Sequence, residues 1–210
     1  MARLTTLPPQ RGFSLITTLI LLIIVTLLGV AASQLVLMSE RGARYDRDYK
    51  MAYQAAEAAL KDAEFDLAGP NTHANQRMNY FAAKRNAGAV GWVVSQCGTS
   101  GKLRGLCKAA DKELNQPDVW LASWFDFTNS GSDAPSAQFG EFTGRAFPSG
   151  DSGVRPAQLP RYIIEEVDDN QAPGGATDRI LYRVTAIGFG PKVHTQVVLQ
   201  MIYRKPGVAL

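Results

Sequence analysis

Hydrophobic and polar positions divide the 210-residue chain into two patterns that meet near residue 40. From Gly12 to Ser39 no residue is charged, and Arg11 and Glu40 bracket this gap. A helix needs roughly 20 apolar residues to cross the hydrocarbon core of a bilayer, so the stretch is long enough to span one. Its length and uniform apolarity favour a membrane helix over the buried core helix of a soluble domain.

Beyond the apolar segment the pattern stays helical. Seven residues recur every three or four positions and so share one helix face: Tyr45, Tyr49, Ala52, Ala56, Leu60, Ala63 and Leu67. The remaining positions are largely charged, Asp62 among them, which makes this half amphipathic. Gly69 followed by Pro70 ends the helix. The pattern therefore predicts one helix over about residues 13–68, whose second half docks on other structure.

Alternation with period two marks the last third of the chain as β-structure. The segments RYIIEEV, RILYRVTAIG and VHTQVVLQMIYR are predicted strands, the last two paired around FGPK. In the final strand Val197 and Leu199 share one face while Gln196 and Gln200 share the other, which suits an antiparallel sheet with one packed face. Residues 129–160, rich in Gly, Ser, Pro and Asp, are predicted loop. Covered by the amphipathic helix, this sheet makes an α+β domain.

Charge and aromatic content argue against a nucleic-acid surface. The net charge is only +3, and lysines and arginines are scattered along the chain. The segment DVWLASWFDF clusters four aromatic residues without interleaved basic residues, which favours a core role over a binding platform: Trp120, Trp124, Phe125 and Phe127.

The N-terminal residues RGFSLITTLILLIIVTLLG resemble those of type IV pilins and pseudopilins. In that family a short basic leader ends in glycine and is followed by phenylalanine and an apolar helix. The resemblance implies that prepilin peptidase cleaves between Gly12 and Phe13 and methylates the new N-terminal amine.

The fifth position of the mature chain departs from the common pilin pattern. Most pilins carry glutamate there, whereas this chain has Thr17. An apolar N-terminus without glutamate resembles the PilX-type minor pilins, which are related to GspK-type pseudopilins. The C-terminal sequence YRVTAIGFG…VVLQMIYRK is similar to the ending of PilX-type chains.

This resemblance implies a pilin-like α+β fold and a structural protein without catalysis or a cofactor. The expected organisation is a leader at 1–12, a transmembrane and filament-core helix at 13–39, its amphipathic continuation at 40–69 and an exported α+β domain at 70–210. Because Arg3 and Arg11 precede the helix without an acid, the N-terminus is predicted to stay cytoplasmic at the inner membrane. The implied partners are other minor pilins, the major pilin, prepilin peptidase and the inner-membrane assembly platform, with a tip adhesin left open.

Two cysteines flank the short loop GTSGKLRGL. In an exported domain a disulfide between Cys97 and Cys107 is favoured, and two free buried thiols are the alternative. A metal site is not expected, because His73 and His194 lie far apart in sequence.

Gly29 and Ser33 form a small-xxx-small pair inside the apolar helix. In lipid such pairs let helices approach closely, so we expect a helix-packing position. Ordinary helix composition is the alternative.

Two further patterns are weighed and set aside. The segment SGDSGV around Ser152 resembles a protease serine motif but lacks a credible histidine base, so a loop is favoured. Five acids near the turn DDNQAPGGATD offer oxygen ligands for calcium but do not follow the EF-hand spacing, so solvated turn acids are favoured: Glu165, Glu166, Asp168, Asp169 and Asp178.

One rival function remains open. The chain would instead be an uncleaved single-pass envelope protein whose outer domain binds a ligand or polymer. A removable signal peptide is disfavoured, because the apolar run between Arg11 and the small residues GVAAS exceeds the usual ~7–15 residues. Processing at Gly12–Phe13 separates the pilin from the uncleaved anchor.

Overall fold

The structure is a computed structural model that describes residues 13–81, 92, 96–108, 118–148, 153–168 and 180–204. The chain divides into two compact units, residues 1–46 and 47–210. Helix α1, Phe13–Ala68, provides the described part of the first unit and the first element of the second. The helix bounds agree with those that the apolar and amphipathic patterns predict.

The end of helix α1 is set by glycine. Gly69 adopts a left-handed conformation, with φ of 69°, and its N–H donates to the carbonyl oxygen of Phe65 at 2.9 Å. A side chain here would also collide with Met78. Both constraints favour glycine at the position that follows a helix.

The second unit contains a mixed sheet of five strands. They are β1 (Leu106–Lys108), β2 (Ala137–Gln138), β3 (Arg161–Asp168), β4 (Ile180–Phe189) and β5 (Gln196–Tyr203). The order is β1-β3-β4-β5, and β2 also pairs with β3. Strands β3, β4 and β5 are antiparallel neighbours, whereas β1 runs parallel to β3. With helix α1 this confirms the predicted pilin-like α+β fold, although β5 begins at Gln196 and not at Val193.

The amphipathic half of helix α1 covers one face of the sheet. The apolar residues of its buried face are almost all alanine: Ala52, Ala55, Ala56, Ala59 and Ala63, followed by Leu67. The larger side chains come from the strands, where Tyr162, Ile164 and Tyr182 lie in the same core cluster. Small helix residues thus allow the helix backbone to approach the sheet closely.

The closest approach occurs at Gly188 in β4. A Cβ atom there would overlap the carbonyl oxygen of Ala52 and the backbone nitrogen of Ala56. Because backbone atoms cannot rotate away as a flexible side chain can, only glycine fits at this crossing. The predicted apolar face of helix α1 is therefore buried at Ala52. Tyr49, which was predicted to share that face, is 45% exposed and lies outside the buried part.

The opposite face of the sheet is also covered, contrary to the sequence expectation of one packed face. A second core cluster there includes Cys107, Val119, Phe127, Ile163 and Ile187. All ten residues of β4 are buried as a result. The alternation of β5 predicts a half-exposed sheet, but β5 is the edge strand. The central strand β4 is buried on both faces, and its outer face includes the buried polar residues Arg183 and Thr185.

We expect Gly188→Ala to lower the free energy of unfolding by about 1–3 kcal/mol, the cost of overpacking a close contact. Gly42→Ala is the matched control, because Gly42 lies in helix α1 with nothing within 4 Å of a built Cβ. Helix propensity alone should make that change neutral or stabilising by up to about 1 kcal/mol. Urea unfolding of both full-length variants in detergent measures the difference. Equal stabilities would contradict the close crossing.

Candidate functional site

The first unit presents an apolar helix surface without a covering layer in the described residues. Large hydrophobic residues from Leu15 to Met38 are roughly half to three-quarters exposed. By length and composition this helix is sufficient to cross a membrane. Exposing such a surface to water is unfavourable, so the segment requires lipid or other apolar helices around it.

The threonine hydroxyl groups in this segment donate to carbonyl groups of the same helix. Thr17 Oγ1 donates to the carbonyl oxygen of Ser14 at 2.9 Å, as expected for threonine in an apolar helix. Thr18 and Thr26 make the same contact with the carbonyls three residues earlier. These side chains therefore need no polar partner from outside, and the segment remains apolar to its surroundings.

The Gly29–Ser33 pair is open to a neighbour. A Cβ atom built on Gly29 meets nothing within 4 Å, and Ser33 Oγ donates to the carbonyl oxygen of Gly29 at 2.9 Å. The serine hydroxyl is thus folded back onto the helix. A role in helix packing stays a prediction.

The predicted processing site lies at the edge of the described chain. Phe13 is the first residue of helix α1, while Gly12 and the rest of the leader lie outside the described residues. Cleavage after Gly12 and methylation of Phe13 stay predictions.

The predicted disulfide between Cys97 and Cys107 is present. Cys107 lies in β1, so the bridge fastens the loop before it to the sheet. Two backbone hydrogen bonds of 3.0 Å reinforce the closure, from Gly98 N–H to the Leu106 carbonyl and from Gly105 N–H to the Gly98 carbonyl. The alternative of two free thiols is thereby excluded.

A buried ion pair joins the end of helix α1 to the loop that follows it. Arg77 Nε donates to Asp66 Oδ2 at 2.8 Å, and both side chains are fully buried. The Arg77 guanidinium also stacks 3.6 Å from the ring centroid of Phe142, a favourable cation–π geometry. Sequence analysis missed this pair, because no local signal separates a buried aspartate from a solvated one on a charged helix.

Tyr162 of β3 completes this cluster by donating its hydroxyl to Asp66 Oδ2 at 3.0 Å. Burial, followed by the charge of Asp66, raises the pKa of Tyr162 well above its ordinary value. The phenol therefore stays protonated and acts as a donor. Helix α1 and strand β3 are thus held by a charge-assisted hydrogen bond within their apolar interface.

Asp62 is a second buried acid that the amphipathic pattern placed on the polar side of the helix. Its carboxylate accepts from Gly140 N–H at 2.8 Å and from the hydroxyl of Thr143, and Arg145 lies 3.8 Å away. Burial raises the pKa of Asp62, although these donors and Arg145 oppose the shift. The loop 139–145 covers this part of the helix, which is why the acid is not solvated.

A third cluster corrects the expectation for the acids near the last turn. Glu165 and Glu166 are buried within β3 and are not solvated turn acids. Glu165 accepts two hydrogen bonds of 3.0 Å from Arg183, which lies opposite it on β4. Asp168 ends β3, whereas Asp169, Asp178 and Ser152 lie outside the described residues.

The Glu165–Arg183 pair also fixes the covering segment. Glu165 accepts from Val119 N–H at 3.0 Å, and Arg183 lies 2.8 Å from Asp118. The segment that begins at Asp118 is thereby held on the outer face of the sheet, where Phe127 enters the core as predicted. Trp124 is 49% exposed and does not take the core position expected for it.

These groups form structural contacts and not a catalytic constellation. Asp62, Asp66 and Glu165 are engaged by arginines, hydroxyls or backbone donors, and Glu166 pairs with Lys108 at 3.0 Å. No group of three or more potential metal-ligating side chains occurs in the part of the chain that the structure describes.

A long apolar N-terminal helix that continues into an α+β domain defines a pilin-like protein. The family model described as type IV pilus assembly protein PilX, C-terminal, matches residues 103–205. The model of the PilX N-terminal region matches residues 11–61, and the two ranges together cover well over half of the chain. No curated protein and no solved structure matches it.

The chain therefore belongs to the PilX family and is a minor pilin of type IV pilus assembly. This family is a structural component of the pilus and not an enzyme family. Its members interact with other pilins in the pilus, and the apolar helix accounts for membrane anchoring and incorporation into the filament.

The buried Asp62 predicts a pH-dependent difference between the wild type and Asp62→Asn. The pKa of Asp62 is raised in the folded state, so the protonated side chain stabilises the fold. This stabilisation is fully present below the unfolded-state pKa of about 3.9 and is lost as the pH rises through the folded-state pKa. The free energy of unfolding of Asp62→Asn should therefore increase relative to that of the wild type between about pH 4 and 7.

Urea unfolding across this pH range provides the measurement, and the asparagine can still accept from Gly140 N–H and donate to Thr143. A wild type that gains stability relative to Asp62→Asn as pH rises would show that Arg145 and the two donors outweigh burial.

Proposed function

We propose that this minor pilin acts in a priming complex at the tip of the type IV pilus, together with other minor pilins. The observation that carries the proposal is Thr17, a neutral residue whose hydroxyl is already bonded to the carbonyl of Ser14. The proposal has three steps: processing of the leader, transfer of the apolar helix and placement at the tip.

Processing begins with the basic leader. Residues 1–12 contain Arg3 and Arg11 and no acid, which favours a cytoplasmic N-terminus. Prepilin peptidase then cleaves between Gly12 and Phe13 and methylates the new amine. The remaining domain lies outside the cytoplasm, in keeping with the Cys97–Cys107 disulfide.

Transfer depends on the exposed apolar face of helix α1. In the inner membrane lipid surrounds residues 13–39, and in the filament the helices of neighbouring pilins replace the lipid. Hydrogen bonds within the helix at Thr17, Thr18, Thr26 and Ser33 suit both environments. The small surface at Gly29 and Ser33 allows close helix contact in the second environment.

Placement follows from the missing acid at Thr17. In most pilins the glutamate at this position is thought to neutralise the α-amino group of an adjoining subunit. That amine has a pKa of about 8 and is largely charged at neutral pH. A carboxylate within the bilayer costs roughly 2.5–3.5 kcal/mol on insertion scales, so it should be kept only where a partner charge arrives.

A subunit with Thr17 offers no acid to the subunit ahead of it. The simplest explanation is that no subunit lies ahead of this one, because it is located at the tip and starts the filament. This argument also predicts few copies per pilus. Even distribution of Thr17-bearing subunits along the shaft is the alternative.

Cleavage is tested by the N-terminal mass of the mature chain. We expect a chain that starts at Phe13 and carries a methyl group on its amine, because the leader ends at Gly12. Gly12→Lys should leave the precursor uncut, whereas Ala2→Lys, a charge change far from the junction, should not. A mature protein that begins at Met1 would favour the uncleaved envelope anchor instead.

Tip placement is tested by immunogold labelling of surface filaments. We expect label at filament ends, and deletion of the chain should reduce the number of filaments more than their length. Thr17→Glu supplies the missing acid and should move label onto the shafts, whereas Thr18→Glu, one position away, should not. Wild-type label spread evenly along shafts would contradict the tip placement and leave the pilin assignment intact.

A further inference from the structure

The two edges of the sheet differ in how they are closed. Along the outer edge of β3, β1 pairs with residues 164–166 and β2 pairs with residues 161–162. Two short strands therefore occupy most of that edge. At the other edge β5 pairs with β4 over its full length, and no further strand pairs with β5 among the described residues.

Strand β5 also lacks the features that usually protect an edge. Its sequence, QVVLQMIY, contains no charged residue and no proline. Natural edge strands are commonly blunted by lysine, proline, a bulge or a very short length. The charged residues Arg204 and Lys205 and the proline Pro206 follow directly after the end of the strand.

The register shows which backbone groups of β5 point away from the sheet. Gly190 N–H donates to the carbonyl oxygen of Thr195 at 2.7 Å, directly before the first pair of the ladder, Phe189 with Gln196. Antiparallel pairs alternate between hydrogen-bonded and non-hydrogen-bonded. The outward N–H and C=O groups therefore belong to Gln196, Val198, Gln200 and Ile202.

The side chains around this edge fit an apolar strand. Ile202 is 47% exposed on the outer face, while Leu199 and Met201 are half-buried on the helix face. Gln200 is held in place by hydrogen bonds to Asp118 and Thr185. An added strand would find apolar neighbours on both faces and fixed, outward backbone groups.

We infer that β5 is the docking edge for an extended segment of another minor pilin, which adds a strand to this sheet. The inference rests on the proposed priming complex. Main-chain hydrogen bonds to Val198, Gln200 and Ile202 provide the contact, and alternating apolar side chains of the incoming strand set its register. An uncharged edge selects an uncharged, apolar strand over an acidic or basic peptide.

Hydrogen exchange on the full-length chain tests this directly. The chain is co-expressed with the other minor pilins of its pilus, purified in detergent alone and in the complex, and read residue by residue by mass spectrometry. In the complex the amides of Val198, Gln200 and Ile202 should exchange at least about tenfold more slowly. Val197, Leu199 and Met201 already bond to β4 and should change little.

A matched pair of variants provides the second readout. Ile202→Pro removes an outward N–H without removing a bond to β4, whereas Ile202→Thr keeps the N–H and the β-branched shape. We expect the proline variant, and not the threonine variant, to lose co-purification with the other minor pilins by at least about tenfold. Circular dichroism of both variants confirms that the sheet is retained.

The outcomes separate this inference from the proposed function. A complex that forms without slower exchange at the three amides overturns the docking edge and leaves the priming complex standing. Slower exchange that appears in the isolated chain as its concentration rises identifies a second copy as the occupant and overturns a strand from another pilin. Failure of the chain to join any complex contradicts both proposals.

Discussion

Close contact between the alanine face of helix α1 and strand β4 is the constraint on which the second unit depends. At Gly188 the backbones of helix and strand approach so closely that no Cβ fits between them. This approach lets Tyr162, Tyr182 and Leu67 fill the remaining space on either side. A larger residue on the helix face would separate the two layers and expose the core that they share.

The irregular segments are attached to helix α1 and to the sheet through buried charges. Asp66 and Arg77 fasten the loop after the helix, Asp62 fastens the loop 139–145, and the Glu165–Arg183 pair holds the segment from Asp118. Buried ion pairs contribute little net stability compared with apolar residues of the same shape, but breaking one is costly. We infer that their main effect here is to select one arrangement of the loops.

Helix α1 and strands β3, β4 and β5 were predictable because each has a long local pattern. Strands β1 and β2 have only three and two residues and were not predicted, and β2 lies within the predicted loop 129–160. The uncharged run after Arg11, the three-to-four spacing from Ala52 to Leu67 and the alternation in β5 gave the helix and the edge strand. The buried roles of Asp62, Asp66 and Glu165 were not predictable, because their partners lie far away in sequence: Asp62 contacts Gly140, and Glu165 contacts Arg183. No local pattern distinguishes these acids from solvated ones.

The candidate site residues also differ in whether a local sequence signal identifies them. The cysteine pair could be identified from a short loop, and the disulfide confirms it. Thr17 could be identified from its position in the chain, and its role in assembly stays a prediction. The exposed edge of β5 could not, because edge position depends on the strand order of the whole sheet.

The central claim is that one apolar helix serves first as a membrane anchor and then as part of the filament. A photoreactive amino acid at Ser33, on the exposed face of helix α1, tests this most directly when membranes and sheared pili from the same cells are irradiated separately. The account predicts lipid adducts in the membrane fraction and pilin adducts in the filament fraction. Lipid adducts in membranes, with no trace of the chain in sheared filaments, would contradict it.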